Sequence, residues 1–488
     1  MKVSPLPPKP SPELERDVTT DETSEVAVDG LADEGEAAVG EQAKAKTPLF
    51  DGRAIAGELP GELHRPPPSA PVMALKILAR TLALALLVAL TAWLWPIYAL
   101  AAWAWGRPPN VPRFARAGRY LRLIWTSHPP APGLGLGTRV WLSLTVMRTL
   151  AFTPVWALAW FLDELLYAEQ LRATPVVAPL IELSAARSGS TQLARYLEED
   201  AQLAAPSLVQ ALFPYLWLWR LVPRTLGRLI SEDQVRTKIL TRIPPEFLER
   251  HEGDPFRTDT FEGAVYLAHF NHLALYLGPE LLAHEFGPGA LHNDNRELWE
   301  REFVEFFDTV ARKTLIHAGL GPDGQPRRFF VKGHFLAAAD ALAGRYPDAR
   351  FLAMIREPGP RLQSAINFLH VNAVDTVLGH VPWPWVAEGA LASELSYCEH
   401  EHEWFTRPGG PHRCVLRFDA YVRDLEGAMT RVYRECLDSP TLPDFVPREH
   451  PPRERKHYSI NRSLAELGID EAALEGRLAA YVAWCRGG

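Results

Sequence analysis

Residues 179–197 read PLIELSAARSGSTQLARYL: a buried strand, a tight turn of small residues, then the opening of a helix. That order builds a place for an anion. The first N–H groups of a helix lack intrahelical acceptors and lie at the positive end of its dipole, so the backbone from Arg187 to Thr191 suits a phosphate. Gly189 allows close approach of the chain, Ser188, Ser190 and Thr191 add hydroxyl donors, and Arg187 puts a cation inside the turn.

A second stretch, Pro326 to Leu369, answers to the first. Phe329 to Val331 and Arg350 to Ile355 are predicted strands that end in Lys332-Gly333-His334 and in Arg356. In an open α/β sheet the ligand sits beyond the carboxyl ends of the strands, where these cations arrive. Ser364 follows a Pro-Gly-Pro turn on the next helix, so Arg356 and Ser364 can hold a second phosphate from two directions. The expectation is a three-layer α/β fold with a central, mostly parallel sheet over residues 175–488.

In these motifs the chain resembles the sulfotransferases that use 3′-phosphoadenosine-5′-phosphosulfate (PAPS). Ala185-Ala186-Arg187-Ser188-Gly189-Ser190-Thr191 stands where that family carries a PRSGTT core for the 5′-phosphosulfate. Arg356 and Ser364 match its 3′-phosphate motif, and Val331-Lys332-Gly333-His334 resembles the LKSP-x-H signature of one broad branch. The departures are local: Ser184 replaces a usual Gly, Ala185-Ala186 replace a proline-containing pair, and Gly333 and Phe335 replace Ser and Pro.

The resemblance implies a P-loop-like sulfotransferase fold and sulfuryl transfer from PAPS, as co-substrate and without a metal, to a hydroxyl on a carbohydrate or lipid. Arg187, Ser188, Gly189, Ser190, Thr191, Arg356 and Ser364 would hold the nucleotide, joined by Arg455 and Lys456 of the basic tail. His334 would take the acceptor's proton, Lys332 would stabilise transferred charge, and Arg187 would neutralise the phosphosulfate. Glu262 is the alternative base, since some members of the family use a Glu. Two other readings stand beside this one. A P-loop kinase-like enzyme would need the Gly-Lys-Ser/Thr ending that this loop lacks. A membrane-anchored, non-catalytic binding protein with the same fold is compatible with the altered loop entry.

The chain has 488 residues and a net charge of −8. Residues 1–72 hold 14 acids and 7 bases, with much Pro and few aromatics, and are expected to be a disordered acidic tail. The remainder is near neutral, and nothing in its charge pattern calls for a nucleic-acid partner. Residues 73–170 are expected to be a membrane-associated helical segment. Its span would run from about 81 to 106, without a charged residue, with Trp93, Trp95, Tyr98, Trp103 and Trp105 at the interface and a kink at Pro96. A second apolar helix would cover about 149–162, as an interfacial segment or as packing for the catalytic domain. Arg107, Arg113, Arg116, Arg119 and Arg122 follow the span, which would place the catalytic domain in the cytoplasm if only that segment crosses. Four scattered cysteines demand no oxidising compartment. His269 and His272 are expected on one helix face with no third metal ligand, and the run Cys398 to Glu403 on a solvated helix face.

Overall fold

The computed structural model describes residues 49–57, 59, 62, 68–126, 134–225, 227, 231–251, 253–286, 298–372, 378, 381–451 and 458–487. Most of the acidic tail, and both Arg455 and Lys456, therefore lie outside the described residues.

Among the described residues, a short 3-10 helix (Gly52–Ala54) and four α-helices precede the sheet. Helix α1 (Ala70–Thr91) has proline in its first turn, where a missing N–H costs nothing. Ala92 and Trp93 form a turn, and α2 (Leu94–Trp105) follows. The expected single span is thus two helices. Pro96 gives the reason: it has no N–H for the carbonyl four residues back, at Ala92, and its ring crowds that carbonyl, while Ala92 and Trp93 keep right-handed helical dihedrals. Helix α3 (Phe114–Thr126) buries Ala117, Tyr120 and Ile124. Helix α4 (Leu136–Ala173) is far longer than the expected 149–162; it contains Pro154 and leaves helical geometry at Tyr167.

The second half of α4 belongs to the core of the sheet domain. Ala157, Trp160 and Phe161 are buried there, and fully buried Asp163 pairs with Lys313 at 3.0 Å. The same carboxylate accepts the N–H groups of Leu216 and Trp217 at 2.7 and 2.8 Å, capping the helix Leu216–Thr225. Lys313 also lies 3.7 Å from the Trp160 ring centre. Residues 47–488 consequently make one compact unit.

Three of the arginines that flank the apolar segment are spent inside this unit. Arg107 and Arg113 both reach Glu302, and Arg116 pairs with Glu285 at 2.6 Å. Helices α1 and α4 are long and apolar enough to cross a membrane, and the most apolar stretch of α1 has no buried residue.

The sheet has five strands, β1 (Leu180–Glu182), β2 (Leu203–Ala204), β3 (Arg328–Lys332), β4 (Arg350–Ile355) and β5 (His412–Arg417), in the order β2-β3-β1-β4-β5. Every recorded strand pair is parallel, with Glu182 of β1 opposite both Lys332 of β3 and Leu352 of β4. Strand β1 is flanked by strands reached on opposite sides, which makes its carboxyl end the topological switch point of the sheet. Helix α5 (Ser190–Leu197) leaves from that end.

Candidate active site

The loop from β1 to α5 is held in a shape that its residues would not adopt alone. Arg187 has φ +68° and Gly189 φ +98°. The left-handed region disfavours an arginine, so the surroundings of Arg187 must hold it there. Gly189 is required twice over, because a Cβ at that position would also stand 2.7 Å from the Phe418 ring. Ser184, at the family's Gly position, bridges strands: its Oγ accepts the Met354 N–H at 2.7 Å and donates to the Glu182 carboxylate.

A cavity of about 1680 Å³ opens beyond the ends of β1, β3 and β4. Arg187, Gly189, Ser190, Thr191, Lys332, His334, Arg356, Ser364 and Glu262 all line it, so the separate motifs converge on one site. Ser188 does not: its side chain is fully buried and forms no part of the wall.

Of the arginines that line this cavity, Arg187, Arg250 and Arg356 stand close together. Arg187 Nε donates to Ser364 Oγ at 3.0 Å and Nη2 to the Arg250 carbonyl at 3.1 Å, while its guanidinium carbon lies 4.9 Å from the Phe368 ring centre. Arg356 Nη1 donates to the Arg187 carbonyl at 3.0 Å and lies over Phe418. Arg250, which sequence reasoning missed, packs over Tyr458 at 4.3 Å. The two expected phosphate positions thus form one continuous cationic patch. Among the described residues, no carboxylate forms an ion pair with Arg187, Arg250 or Arg356. Burial and the neighbouring Arg250 and Arg356 lower the Arg187 pKa to about 10. Glu357, beside Arg356 in sequence, pairs with Arg486 at 2.8 Å instead.

On the opposite wall a buried polar chain orders the candidate catalytic groups. Lys332 Nζ donates to Asp259 Oδ1 at 2.9 Å, and His251 Nε2 reaches Asp259 Oδ2 at 2.7 Å. Burial alone would raise the Asp259 carboxyl; Lys332 and His251 outweigh it and hold that group well below its ordinary range. Lys332 therefore already shares its charge with an acid. His251 carries no local motif, and only the folded chain brings it to Asp259.

His334 sits with its Nδ1 2.9 Å from the Ser184 carbonyl. A carbonyl only accepts, so Nδ1 carries the proton and Nε2 is left as the acceptor. Burial, with the Lys332 charge beside it, lowers the His334 pKa to about 4, which keeps the ring neutral. The His334 N–H donates to Glu262 Oε1 at 2.9 Å. Glu262 is fully buried, which pushes its carboxyl up to about 7. Both candidate bases thus stand in one hydrogen-bonded unit. The Phe335 that replaces the family's Pro packs 4.8 Å from Phe303 in an aromatic cluster with Phe261 and Phe307.

The remaining histidine and acid runs are structural. His269 and His272 do not share a helix, because the chain turns at Phe270 with φ +67°. Cys398 and Glu401 face the core rather than solvent. With Glu394 and Tyr481 they enclose Arg361, whose nitrogens lie 2.7 Å from Glu394, 3.1 Å from Glu401 and 2.9 Å from Cys398 Sγ. Glu401 also accepts the Ala185 N–H at 3.4 Å, below the loop entry. Among the described residues no group of three or more metal-ligating side chains occurs.

No family model and no curated protein matches the chain. Solved structures do. A sulfotransferase from Mycobacterium avium is 18% identical with a TM-score of 0.56, over 79% of this chain and 95% of that one. A second sulfotransferase, from Mycobacterium tuberculosis, is 16% identical with a TM-score of 0.49, over 79% of this chain and 98% of that one. With its parallel sheet and its cavity at the switch point, the chain has the fold of the Mycobacterium avium sulfotransferase.

Proposed function

We propose that this cavity binds PAPS and transfers its sulfuryl group to a hydroxyl acceptor, a carbohydrate or lipid presented at a membrane. The observation that carries the reading is the patch of Arg187, Arg250 and Arg356, three guanidiniums around one cavity without an acid partner among the described residues. Assembling like charges costs free energy, and a ligand phosphorylated at two positions offsets that cost on binding. The glycine-lined turn ahead of α5 adds backbone donors for the phosphosulfate.

Transfer needs stabilisation of negative charge on the departing 5′-phosphate, and Arg187 with the loop N–H groups supplies it. It also needs a group to accept the hydroxyl proton. His334 is neutral with Nε2 unprotonated, so it is ready to accept; its low basicity rises once an anion lies beside it. Glu262 fixes His334 through the backbone.

Membrane attachment is supported by α1. Leu82 and Leu86 are each 62% exposed, and Trp103 of α2 is 84% exposed, surface that lipid would cover. Attachment is single-pass or interfacial. Placing the catalytic domain in the cytoplasm rests on the cluster of arginines that follows the apolar segment.

A thermal-shift measurement with 3′-phosphoadenosine-5′-phosphate tests the donor assignment. Stabilisation by that nucleotide supports it; stabilisation by ATP with Mg²⁺ alone overturns it in favour of a kinase-like enzyme.

A further inference from the structure

Resting on the donor reading above, we propose that Arg462 and Glu62 are positioning residues: the chain just before α1 clasps the C-terminal segment 458–462 and thereby sets where Arg250 and Arg187 stand.

Arg462 is fully buried and its guanidinium is gripped entirely from the N-terminal stretch. Nε and Nη2 donate to the two Glu62 carboxylate oxygens at 2.8 and 2.9 Å, Nη1 donates to the Ala56 carbonyl at 2.8 Å, and Nη2 also reaches the Gly57 carbonyl. The Trp383 ring lies 4.6 Å beneath. A short bridge beside this clasp ties the same two stretches together: the Asp51 N–H donates to the Gly468 carbonyl at 2.8 Å, and the Asp470 N–H to that of Leu49 at 3.2 Å.

From Arg462 the contacts run directly to the cavity. Its N–H and carbonyl are paired with Asn367, at 2.7 and 2.8 Å, on the helix Pro358–Asn372 that also carries Ser364 and Phe368. Two residues earlier, the Ile460 carbonyl and Asn461 Oδ1 accept from the Arg250 guanidinium, the latter at 3.3 Å. Ser459 is fixed by Glu249 through its N–H and hydroxyl, at 2.9 and 2.8 Å. The Arg250 carbonyl then accepts from Arg187. The links from Glu62 to Arg187 are therefore hydrogen bonds, one or two residues of backbone, and the side chains of Arg462 and Arg250.

A buried guanidinium deprived of its carboxylate cannot stay in place without large cost. The least costly relief for Arg462 is to leave its pocket, and segment 458–462 moves with it. Arg250 would then lose the acceptors that aim its charge at the cavity. The stretch next to the membrane helix is in this way part of the donor site, although it touches no nucleotide.

The test is equilibrium binding of 3′-phosphoadenosine-5′-phosphate to the full chain carrying Glu62→Gln. Affinity should fall roughly tenfold, and Glu62→Asp should recover part of it. Lys313→Met, which breaks the buried Asp163 pair, is the control for general destabilisation and should leave affinity unchanged well below its unfolding temperature. Equal affinity in wild type and Glu62→Gln overturns the proposal and leaves the donor reading intact; absence of binding by the wild type overturns both. Hydrogen exchange on the wild type decides the matter if the variant does not fold. The nucleotide should slow exchange at the Asp51 and Asp470 amides as well as in the loop at 187–191, and protection confined to the loop overturns the proposal.

Discussion

A Cβ on Gly333 would stand 2.3 Å from Glu262 Oε2, so the glycine and the buried carboxylate occupy one space in turn. The family's serine at this position would displace the group that fixes the His334 backbone. Gly333→Ser should destabilise the fold by about 1–3 kcal/mol, the usual scale of overpacking, read from urea unfolding. Glu262→Ala in the same chain should recover part of that loss, the Phe335 ring accounting for the rest. Strict additivity of the two substitutions would show that they do not compete.

Glu182 and Glu262 give stability a pH dependence of unusual sign. Burial raises each carboxyl from 4.5 to about 7. Between those values the folded chain binds more protons than the unfolded chain, so stability falls as pH rises through the window and stays lower above it. Each shift corresponds to about 3 kcal/mol. Buried His334 and His272, lowered to about 4, act in the opposite direction between about 4 and 6.5. The readout is therefore a difference. Unfolding free energies at pH 5, 6, 7 and 8 should show Glu182→Gln gaining on the wild type up to pH 7 and holding a constant advantage beyond it.

The two halves of the proposed reaction should separate by mutation. Arg187→Ala removes a charge that would touch the nucleotide and should weaken 3′-phosphoadenosine-5′-phosphate binding by more than about tenfold, given the 2–5 kcal/mol scale of buried charge contacts. His334→Ala should leave that binding near wild type and lower turnover by roughly 10²–10⁴. Transfer of labelled sulfate from PAPS to a membrane or glycan extract measures the second. Unchanged activity in both variants would mean that the chemistry lies elsewhere.

The parts of this site that were legible in sequence are those carried by strand ends. Leu180 to Thr191, Phe329 to His334 and Arg350 to Ser364 each combine an apolar run with the polar groups that follow it, so position and chemistry are read together. Arg250 and His251 were not legible, because their placement depends on long-range contacts to Ile460 and, through Asp259, to Lys332. The run from Cys398 to Glu403 was legible in part: Glu399, His400, His402 and Glu403 are exposed or half-exposed, whereas Cys398 and Glu401 are buried. A solvated helix face and a buried one look alike there until Arg361, from another helix, supplies a counter-charge for Glu401. Proline acts differently in two places: Pro96 stands in the first turn of α2, just past the turn at Ala92 and Trp93, whereas Pro154 is absorbed within α4.

Helix α1 makes the sharpest claim about the membrane. It meets α4 through Arg80, whose Nη2 donates to Thr145 Oγ1 at 2.7 Å and whose guanidinium lies 3.8 Å from the Trp141 ring centre. Most of its leucines face outward. If those side chains lie in lipid, Leu82→Lys with Leu86→Lys places two ammonium groups near the middle of an apolar segment, at about 2.5–3.5 kcal/mol each on an insertion scale. The doubly substituted chain should move from the carbonate-washed membrane pellet to the supernatant while keeping its thermal response to 3′-phosphoadenosine-5′-phosphate. Retention in the pellet would show that α1 is not the anchor. Loss of the nucleotide response would show that α1 supports the cavity through α4, and that anchor and enzyme are not separable.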